Sequence, residues 1–472
     1  MVRLFVIFIG VVLSIQVSAQ KSSSYREDFQ IYKKALLETH PSLYRFTPQK
    51  QFDAVLDSVE STIDSETTEW EFFRALHLVH AMIRESHSFL GVPNQLMSKA
   101  TSAKLFPLQV WITESKMLVT GSREESYAHL VGQEIVSING QSVKSLVQTL
   151  ETFSLLNTGY NNSAIYKELS GYNNFAFAYY FFISKAESFQ LVYGSDEKLQ
   201  SETLAGSKKS LKGEYPQFPD EPKPPFSLKI DESKSIAELT ISTFAYWVVG
   251  KKQEDYQEFF ENCFTALEEK NIEHLIIDVS NNRGGEEMIG AELLTYFIDQ
   301  PFRLYKQVSA KTLDYSCINR LPNSSRPKFS NNDFIDYDSI YVLKKGDVLK
   351  TFEPKQEHRY TGNVYFISSG RSRSATNILL SLVKSHDLGI IVGQESGGAS
   401  QDLDGRWRVK FNLPYSNVFV SYPVWRLEID SENQNPKLGV IPDFVVDRSN
   451  EDVLSEREPE LDFVYQLIQN EQ

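Results

Sequence analysis

An α/β fold built on a largely parallel sheet is what this 472-residue sequence predicts. Two observations lead there. From residue 235 onward, short apolar strands alternate with amphipathic helical stretches, the pattern of βαβ units. Hydrophobic residues make up 41% of the chain and aromatic residues 12%, which supplies a full-sized core and excludes a disordered or collagen-like chain. The charge balance narrows the partners. Lys and Arg number 48 against 62 Asp and Glu, a net charge of −14 with no basic run, which argues against a nucleic-acid partner. Two cysteines, Cys263 and Cys317, are too few for a disulfide scaffold or a four-cysteine zinc site, and the sequence leaves their pairing open.

Taken in order, residues 1–19 read MVRLFVIFIGVVLSIQVSA. One arginine, an apolar run from Leu4 to Leu13 and Val17-Ser18-Ala19 give the order of a secretory signal peptide, with cleavage expected after Ala19. The run is short for a bilayer span and no cysteine follows it, so export to a periplasmic or extracellular location without stable membrane insertion is expected. Residues 20–100 form an N-terminal helical part, with one apolar stripe through Tyr32, Leu36 and Leu37 and another through Phe72, Phe73, Leu76, Val79, Ala81 and Met82. His40-Pro41 breaks its first helix.

From Phe106 the period changes to that of strands, and residues 101–205 form a second unit. PLQVWIT and KMLVTG read as strands, and VGQEIVSINGQSV as a strand ending in an Asn139-Gly140 turn before a short helix at 142–149. Five prolines between Pro216 and Pro225 make 206–226 a stiff linker. The core, residues 227–450, has strands at 235–241, 274–280, 363–368 and 389–393. Helices lie at 256–270, 288–298 and 375–386, and a C-terminal helix is expected within 451–472.

Three junctions carry chemistry. Asp278-Val-Ser-Asn-Asn-Arg-Gly284-Gly285 runs from a buried strand into two glycines whose N–H groups can face a negatively charged oxygen. Ser372-Arg373-Ser374-Ala375 follows the NVYFIS strand and opens a helix, which presents a serine at a positive helix end, though taken alone plain capping is the better explanation of a serine there. Arg84-Glu85-Ser86-His87-Ser88 places a histidine between two serines at a helix end. His77 and His80, three residues apart, invite a metal pair, but no third ligand follows at a recognisable spacing.

The order of these motifs resembles the tail-specific, or C-terminal processing, serine peptidases. The match runs through SHS at 86–88, GQEIVSING at 132–140, DVSNNRGG at 278–285, SRSATN at 372–377, IVGQESGG at 391–398 and LGVIPDFVV at 438–446. The resemblance implies a crotonase/ClpP-like α/β spiral core, with a PDZ-like domain at 101–205. It implies an endopeptidase acting on peptide or protein substrates, without metal or cofactor.

Where one branch of the family has a catalytic lysine, this chain has Ala399, and no lysine lies between Lys384 and Lys410. The resemblance is therefore to the tricorn-core-like Ser-His branch. It implies Ser374 as nucleophile, His87 as base, and Ser86 and a carboxylate as its support, with Glu432 preferred to Glu428. The oxyanion donors would be the N–H groups of Ala375 and of Gly284 or Gly285. A non-catalytic ligand- or peptide-binding protein on the same scaffold is the alternative.

Overall fold

The computed structural model describes residues 24–156, 158–171, 173–194, 198–208, 224–432 and 435–471. The expected signal peptide and most of the proline-rich linker lie outside them. The chain is mixed α/β, with helices and several sheets. Among the described residues no helix is long and apolar enough to cross a membrane.

The main sheet has six strands, in the order Phe444–Val445, Ile390–Gly393, Asn363–Ser368, His274–Asp278, Ile236–Ile241 and Phe226–Asp231. All neighbours are parallel except the last pair, an antiparallel hairpin at the edge. Its central strands are apolar on both faces, because both are covered. Helices Gln253–Glu269, Glu287–Leu294 and Ala375–Ser385 bring Phe260, Leu293 and Leu379 into the main core. On the other face, Val464 and Ile468 of helix Pro459–Glu471 pack on Ile276, Tyr365, Ile367 and Val392. Full burial of such a side chain contributes about 1.5–3 kcal/mol.

The N-terminal part folds as helices over 24–39, Gln49–Thr62 and Glu69–Ala81. A capping box between Thr68 and Glu71 starts the third. Phe72, Phe73, Leu76 and Val79 form its buried stripe. The segment 101–205 contains the hairpin Leu108–Ile112/Met117–Ser122 and a four-stranded sheet. In that sheet Asn139 and Gly140, both at positive φ, make the turn, and Ser142 caps helix Val143–Phe153.

A second six-stranded sheet escaped the sequence reading. Its centre is the long hairpin Asp402–Asn412/Phe419–Ile429, onto which strand Phe89–Gly91 pairs antiparallel. This pairing ties the histidine-bearing segment to the core. Cys263 and Cys317 are not bonded to each other.

Candidate active site

Two loops leave the C-terminal ends of neighbouring parallel strands, His274–Asp278 and Asn363–Ser368. They are stitched together by short polar bonds. Ser372 Oγ donates to the Val279 carbonyl (2.9 Å), Ser369 Oγ to that of Ser280 (2.6 Å), and the Arg373 N–H to that of Asn282 (3.3 Å). The second loop ends on Ser374, held at φ 53°, ψ −123° immediately before helix Ala375–Ser385. A non-glycine residue there is strained, and such strain, stabilised by the surrounding packing, marks the turn that lifts a side chain clear of its neighbours.

Gly284 and Gly285 have φ 93° and 139°. A methyl on Gly284 would stand 2.7 Å from Ser374 Cβ and 2.9 Å from the Ala375 nitrogen, so only glycine brings the first loop this close to Ser374. A methyl on Gly285 would lie 2.1 Å from the Ala245 nitrogen. Asn282 Oδ1 accepts the Gly284 N–H at 2.9 Å, which removes that donor from the expected oxyanion set. The N–H groups of Gly285 and Ala375 donate to no acceptor among the described residues.

His87 closes on Ser374 from the N-terminal part. Its Nε2 is 3.0 Å from Ser374 Oγ and its Nδ1 is 2.7 Å from Glu85 Oε1, which also accepts the His87 backbone N–H at 3.1 Å. A carboxylate only accepts, so Nδ1 carries the proton and Nε2 turns its lone pair to the serine hydroxyl. Arg84, at φ 54°, folds the chain so that Glu85 reaches back to a ring two residues on. Arg408 holds the loop from behind through the His87 carbonyl.

The carboxylate beside His87 is therefore Glu85, whereas the sequence had pointed to Glu432 ahead of Glu428. Glu428 sits in strand Phe419–Ile429, 3.4 Å from Arg426. Glu432 is exposed past that strand's end, its N–H on Ser385 Oγ. Ser385 ends the helix that Ser374 begins, roughly 16 Å along its axis. Ser86 also differs from expectation. Its hydroxyl accepts from Thr158 Oγ1 at 2.9 Å and braces the turn, while both imidazole nitrogens are taken by Glu85 and Ser374. Ala399 is buried, its carbonyl accepting from Asn377.

Glu85 is fully buried, and its other oxygen accepts from Arg45 (2.7 Å) and the Asp404 N–H (3.1 Å). Burial opposes its ionisation. The His87 hydrogen bond and the nearby charges of His87 and Arg45 overcome that and hold the carboxyl below its ordinary range. Asp404, also buried, is pushed the other way by burial and by the charge of Glu85. Arg45 lies 3.1–3.3 Å from Asp402 and Asp404.

Residues 235–446 match the model of peptidase family S41. Those residues carry a serine-peptidase domain of the S41 type, and a peptidase family implies peptide or protein substrates. In three dimensions it is similar to mature CPAF, at 12% identity and TM-score 0.61, covering 96% of this chain and 98% of that one. It is likewise similar to mature CPAF complexed with lactacystin, at 13% identity and TM-score 0.62, covering 96% and 100%. At these identities the likeness is one of fold. No curated protein matches the chain in sequence.

Proposed function

We propose that the protein is an exported endopeptidase of the tail-specific type that works through a Ser374 acyl-enzyme, with His87 as general base and Glu85 as the carboxylate that orients it. The observation that carries this reading is the continuous chain Glu85–His87–Ser374, at 2.7 and 3.0 Å, ending on a strained serine at a helix N-terminus.

As Ser374 Oγ bonds to the scissile carbonyl carbon, its proton passes to His87 Nε2. The ionised Glu85 stabilises the imidazolium that forms. The negative charge on the carbonyl oxygen falls to the N–H groups of Ala375 and Gly285, aided by the positive end of the Ala375–Ser385 helix. His87 then gives its proton to the leaving amine as the C–N bond breaks, and a water deprotonated by the same ring hydrolyses the ester.

The domain assignment that goes with this reading is a signal peptide at 1–19, a helical part at 20–100 and a PDZ-like domain at 101–205. A linker at 206–226 leads into a crotonase/ClpP-like core at 227–450. The strands, the Asn139-Gly140 turn and the helix at 143–153 support the PDZ-like assignment. The test is cleavage of a quenched peptide pool by the mature chain and by Ser374→Ala, beside a thermal melt. The expected result is loss of at least about 10⁴-fold in kcat with the melt preserved. Unchanged cleavage by a folded Ser374→Ala variant would overturn the assignment.

A further inference from the structure

Segment 158–168 belongs to neither the histidine turn nor the two strand-end loops, yet it contacts all three. At its start the Thr158 hydroxyl donates to Ser86 Oγ at 2.9 Å and accepts the Ser86 N–H at 3.3 Å, and the Gly159 N–H donates to the Arg84 carbonyl at 2.9 Å. Further on, helix Ser163–Leu169 lies against the loop that carries Ser374. A methyl on Gly370 would stand 2.4 Å from the Ser163 carbonyl oxygen. The helix start is fixed in turn by Asn161, whose side-chain oxygen accepts the Ser163 N–H at 2.8 Å.

The end of this helix carries the charge. Glu168 is buried, and its carboxylate lies 2.9 Å from the Arg283 guanidinium and 3.4 Å from that of Arg373. These arginines immediately precede Gly284 and Ser374, so one carboxylate bridges the two loops at the point where they meet. Arg371 adds a further tie, with Nη1 donating to Asn281 Oδ1 (3.3 Å) and Nη2 to the Lys167 carbonyl (3.4 Å). Glu168 is itself anchored, its carbonyl accepting from the Asn174 amide at 2.6 Å and from the Gly171 N–H at 3.0 Å.

Three guanidinium groups on two touching loops repel one another. Burial lowers the Arg373 group below its ordinary value, Glu168 opposes that fall, and the charges of Arg283 and Arg371 add to it. Without Glu168 the like charges beside Gly284 and Ser374 push against each other across loops so close that Gly284 admits no side chain.

We propose that Glu168 is a positioning residue for the reaction at Ser374. By bridging Arg283 and Arg373 it sets the spacing of the two loops, and with it the placement of the Ser374 hydroxyl against the Gly285 and Ala375 N–H groups. The assignment rests on the peptidase reading of Ser374. Glu168 acts through the loops, and an error of about 1 Å in such placement costs about 10²-fold in rate.

The experiment measures kcat and KM on one quenched peptide across pH for the mature chain and its variants, each beside a thermal melt. Glu168→Gln keeps the side chain's volume and removes its charge. It should lower kcat about 10- to 100-fold with KM within about threefold of wild type. The pH at which kcat rises should not move, because His87 and Glu85 keep their contacts. Glu168→Asp, which retains the charge, should recover at least about fivefold of the loss. Adding Arg373→Gln to Glu168→Gln should cost no more than about twofold further, since the two act as a pair. A folded Glu168→Gln variant with kcat within about threefold of wild type overturns the proposal. So does a loss confined to KM, a loss that Glu168→Asp leaves unrecovered, or losses that multiply in the double variant. Where Glu168→Gln does not fold, Arg373→Gln takes its place with Arg373→Lys as the charge-retaining variant, and full kcat in folded Arg373→Gln overturns the proposal. All of these leave the peptidase reading intact. Absence of both cleavage and covalent labelling of Ser374 in the folded wild-type chain is the distinct failure of that reading, and the positioning role falls with it.

Discussion

At the scale of single residues, the site turns on which carboxylate serves His87. Glu85 is fully buried and bonded to both the ring and the backbone of His87, whereas Glu432 is exposed and its N–H lies on Ser385. Glu85→Gln should lower kcat by about 10³–10⁴-fold, since an amide lets the imidazole take the wrong tautomer. Glu432→Gln should stay within about twofold of wild type, as exposed substitutions away from a site do. Steady-state kinetics on one quenched peptide separates the two, and the reverse ranking would return the role to Glu432. Ser374, His87 and the glycine pair were legible because each stands at a strand or helix end with a local signal. Glu85 was written beside them in Arg84-Glu85-Ser86-His87. Its role depends on Arg84 at positive φ, and nothing in an arginine announces that conformation.

At the scale of elements, the close approach of two strand-end loops makes the site. Gly284→Ala places a methyl 2.7 Å from both Ser374 Cβ and the Arg373 carbonyl, at a backbone angle that alanine resists. A loss of about 10²–10³-fold in kcat is expected, with a smaller change in KM, because the clash drives apart the two loops that place the Ser374 hydroxyl beside the proposed Gly285 and Ala375 donors. A variant with full kcat would mean that the glycine only permits a turn.

The alternation of strands and helices in the core was readable, since a buried parallel sheet demands apolar runs separated by helices. The Asp402–Asn412/Phe419–Ile429 hairpin was not. Buried Asp402 and Asp404 sit in its first strand beside Arg45, and before the fold is known such residues read as a polar loop. The acidic stretch after it likewise read as a source of a catalytic carboxylate rather than as the end of a strand.

At the scale of the whole molecule, the N-terminal helical part carries His87 and the core carries Ser374, so the proposed catalysis depends on the seam between them. Arg45, Glu85, Asp402 and Asp404 form that seam, with His40 nearby at 4.0 Å from Asp404. Burial first, then the charge of Glu85, raises the Asp404 carboxyl, with Arg45 opposing. A raised folded value gives stability that is full below the ordinary Asp value of about 3.9 and lost as pH rises through the folded value. Glu85 is depressed, so its contribution is present above the ordinary Glu value of about 4.3 and lost as pH falls. Asp404→Asn, which mimics the protonated carboxyl, should therefore narrow the gap between melting temperatures at about pH 5 and about pH 8 by about 2 °C or more. An unchanged gap would remove Asp404 from the seam's pH response.

The claim on which the rest depends is that Ser374 is a nucleophile activated by His87. Its most direct measurement is reaction of the mature chain with a fluorophosphonate, followed by mass spectrometry of the digested protein. The predicted result is one adduct on the peptide containing Ser374, absent from Ser374→Ala and strongly slowed in His87→Ala. No adduct on folded wild-type protein, an adduct on another serine, or labelling that persists unchanged without His87 would contradict it.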